Sequence, residues 1–513
     1  MTGRFFMRRG RRVWIGVAAA VSAAVMTRAG QASAATSCEA LTTQHLDHAS
    51  VASAATVSAN TAPFYVARPF CRVQITMTPT ADSDIRVEVW LPIGNWNGKF
   101  EAVGNGDAAG VISYDDMAAA VARGFATSST DTGHVGNSMA FALGHREKYV
   151  DFGYRASHEM TVKAKAIIAA YYGAPPREAY WNGCSQGGRQ GITEAARYPS
   201  DYDGVIAGAP AIEYMQLHAA RLALNLLVHR TPDSYIPPEK YALIHHAALE
   251  ACDRGDGVTD GLISDPMRCR FDPGRLACTA GDAPTCLTPA QVETARAMYA
   301  PLKDASKGRV VSPALLEPGS ELGWGRLAGP EPLINAIEPF KYVVFNDPLW
   351  DWHTFHLQPD LPRALQADKG VINFTSPDLH AFFANGGRLL MYHGWADPQI
   401  PPLGTVDYFN AVLSASGQSA RGQSVQLYML PGVNHCEGGE GPDRFDAVGA
   451  LDEWLDTGHA PARIVAARQA QATVVRTRPL CPYPERAVYV GSGSIDRAEN
   501  FRCEADVRAS RDR

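Results

Sequence analysis

Residues 180–191 read Tyr-Trp-Asn-Gly-Cys-Ser-Gln-Gly-Gly-Arg-Gln-Gly. The Gly-x-Ser-x-Gly pattern inside them, from Gly183 to Gly187, restricts the fold more than any other stretch. A serine on a tight strand-to-helix turn needs minimal side chains two positions either side, because the strand and the departing helix nearly touch. The flanks suit such a turn. Glu178-Ala179-Tyr180-Trp181 is predicted as a short buried strand, following a helix that ends at Ile167 to Tyr172. Gly188 to Tyr198 is predicted to run on as a helix whose first amides point back at Ser185. The N–H of Gln186, the residue after the nucleophile, then belongs in an oxyanion hole.

A serine nucleophile needs a base and an orienting acid, and both have candidates downstream. The apolar strand Arg388 to His393 runs into a loop bearing Asp397, and Gln426 to Leu430 precedes a loop bearing His435. The order serine, aspartate, histidine is that of α/β-hydrolases and differs from those of chymotrypsin and subtilisin. Asp407 competes with Asp397, but Thr405 to Phe409 looks helical. His134 lies between a predicted strand and helix and reads as a polar wall residue. Cys184 precedes the serine and Cys436 follows the histidine. If Ser185 and His435 share a hydrogen bond, those neighbours come within bridging distance, about 4.4 to 6.8 Å between Cα atoms.

Gly-Cys-Ser-Gln-Gly-Gly at 183–188 with His435-Cys436 resembles the tannase and feruloyl esterase family, over about Cys38 to Cys503. The resemblance implies an α/β fold, an α/β-hydrolase core with a large inserted lid domain, and carboxylic ester hydrolysis by Ser185, Asp397 and His435. It places the Gly106 N–H, in a glycine-rich loop after the strand from Gly98, beside Gln186 as the second oxyanion donor. With local closeness it suggests the pairs Cys38–Cys71, Cys184–Cys436, Cys252–Cys269, Cys278–Cys286 and Cys481–Cys503. Cys252 to Leu262 interleaves three aspartates with three glycines, a concentration of hard oxygen ligands. The resemblance implies a structural Ca²⁺ held by Asp253, Asp256 and Asp260 with the carbonyls of Val258 and Leu262. The family also includes mono(2-hydroxyethyl) terephthalate hydrolase, so a terephthalate monoester is an alternative substrate, with Arg326 available to a distal carboxylate.

Exported-protein features surround this core. Five arginines up to Arg12 precede an apolar run from Val13 to Met26, and Ala32-Ser33-Ala34 offers a cleavage site. Residues 1–34 therefore read as a signal peptide, with a retained anchor as the alternative and Arg11-Arg12 leaving twin-arginine export open. The destination is extracellular or periplasmic, with no membrane association after cleavage. Losing six arginines and no acids takes the formal charge from −6 to −12, and no basic run is left for nucleic acid. All ten cysteines lie beyond the leader, an even count that favours disulfides over zinc, since no Cys-x-x-Cys occurs.

The remaining chain divides into a first core part, 35–211, a lid, 212–380, and a second core part, 381–513. Strand–helix alternation lapses after Asp203 to Pro210. Within the lid Glu213 to His229, Pro238 to Cys252 and Pro289 to Tyr299 are predicted helices. Trp324 and Trp350 are candidates to sandwich a planar acyl group, or equally to fill lid core. The resemblance implies a small aromatic ester as substrate, feruloyl or another hydroxycinnamoyl or galloyl type, of plant cell-wall or polyphenol origin. A non-catalytic calcium-dependent carbohydrate-binding module is the reading from another class.

Overall fold

The computed structural model describes residues 36–304, 308–374 and 376–505. The leader, 1–34, lies outside them. Nine strands form the central sheet: β1 (Ala49–Val57), β2 (Phe70–Met77), β3 (Ile85–Pro92), β4 (Lys99–Val103), β5 (Ala126–Thr130), β6 (Glu178–Cys184), β7 (Gly204–Gly208), β8 (Arg388–Gly394) and β9 (Val425–Leu430). Their spatial order is β1-β2-β3-β5-β4-β6-β7-β8-β9. Pairing is antiparallel from β1 to β5 and parallel from there to β9. The carboxyl ends of β4, β6, β8 and β9 thus open at one edge, where open α/β sheets bind ligands.

β2 pairs with β3 from Phe70 opposite Pro92 to Met77 opposite Ile85. Of β3 only Arg86 is exposed. Val87, Val89 and Leu91 pack into the cluster that contains helix Ala156–Tyr172, while Trp90 packs against Met117 and Val121 of helix Tyr114–Ala122. Glu88 is buried in β3 because Arg72 pairs with it and the Trp90 indole donates to it at 2.8 Å. β1 was not expected, since Ala-Ser-Val-Ala-Ser-Ala-Ala-Thr-Val lacks bulky alternation. It is an edge strand, and the Cys38–Cys71 bridge ties the segment leading into it to β2.

The helix predicted to end at Tyr172 begins as a wider turn, Asp151–Arg155, and becomes α-helical at Ala156. Met160, Ala164, Ile167, Ile168 and Tyr171, spaced three to four residues apart, are all buried on the sheet. Between Gly208 and Arg388 no described segment joins the sheet. That insertion carries helices Tyr214–Val228, Tyr241–Cys252 and Pro289–Met298, each one to three residues shorter than the pattern predicted. Pro289 at the first helical turn and the Thr288/Gln291 capping box start the third. Beyond β9, helix Ala447–Thr457 returns to the core, and two hairpins, Ile464–Ala470 with Thr473–Leu480 and Arg486–Tyr489 with Phe501–Glu504, close the chain. The five disulfides join the expected partners.

Candidate active site

Ser185 sits between β6 and the helix Gln186–Arg197 with φ 62° and ψ −121°, a conformation L-residues seldom adopt. The turn is tight enough to exclude side chains on both sides. A Cβ on Gly183 would lie 2.5 Å from the Gly187 carbonyl carbon, and one on Gly104 would lie 2.6 Å from the Gly187 Cα. His435, on the loop after β9, places Nε2 2.9 Å from Ser185 Oγ and Nδ1 2.7 Å from Asp397 Oδ2. The neighbouring cysteines are bonded, with 6.1 Å between their Cα atoms.

Asp397 is fully buried after β8. Its Oδ1 accepts from the amides of Gln399 and Ile400 at 2.8 and 3.0 Å. Burial works to raise its pKa, but the charge of His435 and hydrogen bonds from His393 and His435 hold it well below the usual carboxylate range. An aspartate so held keeps its charge and fixes the imidazole with Nε2 facing the serine.

Gly106 and Gln186 line a cavity of about 850 Å³ with Ser185 and His435. The Gln186 amide is in the first turn of its helix, where N–H groups have no intrahelical acceptor. A Cβ on Gly106 would meet nothing within 4 Å, so this backbone is open to a ligand. Two residues unnoticed in the sequence hold that loop. Gln190 accepts from the Asn105 amide at 3.0 Å and donates to the Asn105 side chain at 3.1 Å, tying the loop to the serine's own helix. The signal was present in Asn105 beside Gly106 and Gln190 one turn past Ser185, but pairing them needed the fold.

Arg326 lines the cavity, its Nε donating to Gln399 Oε1 at 3.1 Å. The two tryptophans do not. Trp324 is fully buried between Tyr241 and Tyr299 in the lid, its indole donating to Ser320. Trp350 stacks on Phe345 with ring centres 4.7 Å apart. Both rings belong to the core of the lid, the second of the two readings left open by the sequence. His134 is buried against Phe141 and bonds the Ala108 carbonyl at 2.7 Å, bracing the glycine loop from behind. Asp407 is exposed on helix Pro402–Ser416.

In the lid loop, Asp253 accepts from the amides of Asp260 and Gly261, and Asp256 from Val258 N and Ser264 Oγ. Asp260 pairs with Arg478 of the first hairpin. Asp253 and Asp256 are buried, and 1% of the Asp260 side chain is exposed. Burial pushes Asp256 and Asp260 up, against the hydrogen bonds of Ser264 and Val258 on the first and the charge of Arg478 on the second. Three carboxylates on one loop are the hard-oxygen chemistry a divalent cation such as Ca²⁺ takes, and in this structure amides, Ser264 and Arg478 occupy them.

A mixed sheet of this order, with a strained serine after one central strand and an aspartate and histidine after later ones, defines an α/β-hydrolase-fold enzyme with serine-hydrolase geometry. The chain matches the family model "Tannase and feruloyl esterase" over residues 71–504. It is 34% identical to an uncharacterized esterase of Xanthomonas campestris pv. campestris, over 98% of this chain and 96% of that one. It is 32% identical to a probable feruloyl esterase B-1 of Aspergillus oryzae, over 85% and 84%. The crystal structure of feruloyl esterase B from Aspergillus oryzae superimposes with a TM-score of 0.86 at 31% identity, covering 91% of this chain and 99% of that one. Tannin acyl hydrolase from Aspergillus niger, at 22% identity and TM-score 0.75, covering 91% and 93%, shares the fold. The chain belongs to the tannase and feruloyl esterase family and is a carboxylic ester hydrolase.

Proposed function

We propose that the protein hydrolyses esters of aromatic acids, of hydroxycinnamoyl or galloyl type, through an acyl-enzyme on Ser185. The Ser185–His435–Asp397 geometry carries the reading, and the names of its feruloyl esterase relatives supply the acyl class. Ser185 Oγ attacks the ester carbonyl as His435 Nε2 takes its proton, and Asp397 stabilises the imidazolium. The amides of Gly106 and Gln186 receive the oxyanion, each such donor contributing roughly 10²- to 10³-fold in rate. His435 then protonates the departing alcohol, and water, activated the same way, releases the acid.

Arg326 on the cavity wall favours a second reading, a terephthalate monoester with its free carboxylate paired there. Asp253, Asp256 and Asp260, with the carbonyls of Val258 and Leu262, are proposed to hold Ca²⁺, which would brace the lid against the C-terminal hairpin and take no part in the chemistry. Export through the leader fits five disulfides, which persist in oxidising compartments. Among the described residues no helix is long and apolar enough to cross a membrane.

The test is a substrate panel of methyl ferulate, methyl caffeate, methyl gallate and a terephthalate monoester, with Ser185→Ala as control. Turnover of at least one aromatic ester, reduced by about 10⁴-fold or more in the variant, is expected. Equal rates in both proteins would overturn the catalytic reading, and preference for the terephthalate ester would select the second substrate.

A further inference from the structure

The carboxylate of Asp397 has a partner that the serine–histidine–aspartate scheme does not use. His393, the penultimate residue of β8, is fully buried. Its Nε2 lies 3.0 Å from Asp397 Oδ2, the same oxygen that His435 Nδ1 reaches at 2.7 Å. Its Nδ1 lies 2.7 Å from Thr405 Oγ1 on helix Pro402–Ser416. Gly394 makes this approach possible, because a Cβ there would sit 2.2 Å from the Val433 carbonyl oxygen, just upstream of His435.

An ionised carboxylate only accepts, so His393 Nε2 carries a hydrogen. Nδ1 faces the Thr405 hydroxyl, which can donate or accept. With the amides of Gln399 and Ile400 on Oδ1, the carboxylate then has four donors, two on each oxygen. That count prevents rotation of the carboxylate plane away from His435. It also divides the charge of Oδ2 between two imidazoles, which moderates the hold of Asp397 on a protonated His435.

We infer that His393 is a positioning residue of the esterase reaction, which orients the Asp397 carboxylate and sets how strongly it retains the proton on His435. This rests on the roles proposed above for Ser185, His435 and Asp397. The ionisable groups facing Asp397 are His435 from its loop, His393 from β8 and Arg221 from the lid helix Tyr214–Val228. Arg221 is buried and held by the Gln399 carbonyl at 2.8 Å, so it is common to every variant below.

The experiment compares His393→Leu, which keeps bulk without a donor, with His393→Gln, whose amide nitrogen approximates Nε2. Thr405→Val, which removes the hydrogen-bond partner of Nδ1, is the second route should the leucine variant not fold. The readout is the pH dependence of kcat/KM on a p-nitrophenyl ester. His393→Leu is expected to move the acidic limb up by about one pH unit, so that kcat/KM below the limb falls about tenfold. Thr405→Val shifts it the same way by less, and His393→Gln stays within about a third of a unit of the parent. An unmoved limb in both the leucine and valine variants, or a glutamine variant displaced as far as leucine, would overturn the inference. Proton NMR of the downfield His435 Nδ1–H signal separates this from failure of the functional reading. Its titration midpoint must rise in His393→Leu whether or not the protein turns over the chosen ester.

Discussion

Gln190 illustrates how a side chain that never meets substrate governs the rate. It makes two hydrogen bonds to Asn105, whose neighbour Gly106 presents the proposed oxyanion amide. Gln190→Leu keeps the packing volume but frees the loop. The expected result is a fall in kcat of about tenfold with KM little changed, short of the 10²- to 10³-fold that loss of a donor costs. A steady-state comparison on one aromatic ester checks it, and an unchanged kcat would detach Gln190 from the oxyanion site. Individual residues of the site divide cleanly by legibility. Ser185, Asp397 and His435 stand out because each sits at a fixed place in a strand-and-loop order. Asn105, Gln190 and His393 do not, because an amide or imidazole in a sequence looks the same whether it faces solvent or a buried carboxylate. Trp324 and Trp350 stay ambiguous in the sequence for the related reason that an aromatic ring serves a lid core as well as a pocket wall.

Between elements, a buried histidine is one contact that joins lid to catalytic loop. His245 of helix Tyr241–Cys252 bonds Glu321 of the lid at 2.8 Å through Nδ1 and Glu440, on the loop carrying His435, at 2.9 Å through Nε2. Burial disfavours its charged form, but the hydrogen bonds and charges of the two carboxylates outweigh that and push it up to about 9. A folded-state pKa above the unfolded value of about 6.5 gives stability fully present below pH 6.5 and lost as pH rises through about 9. Thermal unfolding of the parent and His245→Asn should differ most below pH 6.5, and the gap should close as pH climbs past 9. A difference constant across that range would show the pair contributes no pH-dependent stability. The Cys184–Cys436 bridge acts on the same loop from the other side. Selective reduction that leaves the fold intact is expected to lower kcat severalfold, because small drifts between nucleophile and base are costly. Full activity after verified cleavage of that bond would contradict this. Helix and strand boundaries were legible to within a few residues where apolar periodicity was strong, as in Ala156–Tyr172. The strand Ala49–Val57 was not, because its alanines and serines carry no periodic signal and the neighbouring strand alone recruits it.

For the molecule as a whole, stability should depend on the aspartate loop that links lid and C-terminal hairpin through Asp260 and Arg478. Chelation with EDTA is expected to lower the unfolding temperature by roughly 2–4 °C, with recovery on adding Ca²⁺, if the ion is present near 100 times its dissociation constant. Esterase rate at 25 °C should change little, since no loop aspartate lines the Ser185 cavity. Asp256→Asn should unfold at a lower temperature than the parent and lose the response to chelator, and an unaltered response would remove that residue from the proposed site. The order of nucleophile, acid and base, and the cysteines flanking two of them, were settled by sequence alone. These are properties of local spacing, and a strand that ends in Gly-x-Ser-x-Gly has few ways to turn. Which side chains meet across the insertion between Gly208 and Arg388 was decided only in three dimensions. Burial and the sharing of one carboxylate oxygen by two imidazoles arise from segments far apart in the chain, and no local pattern encodes their meeting.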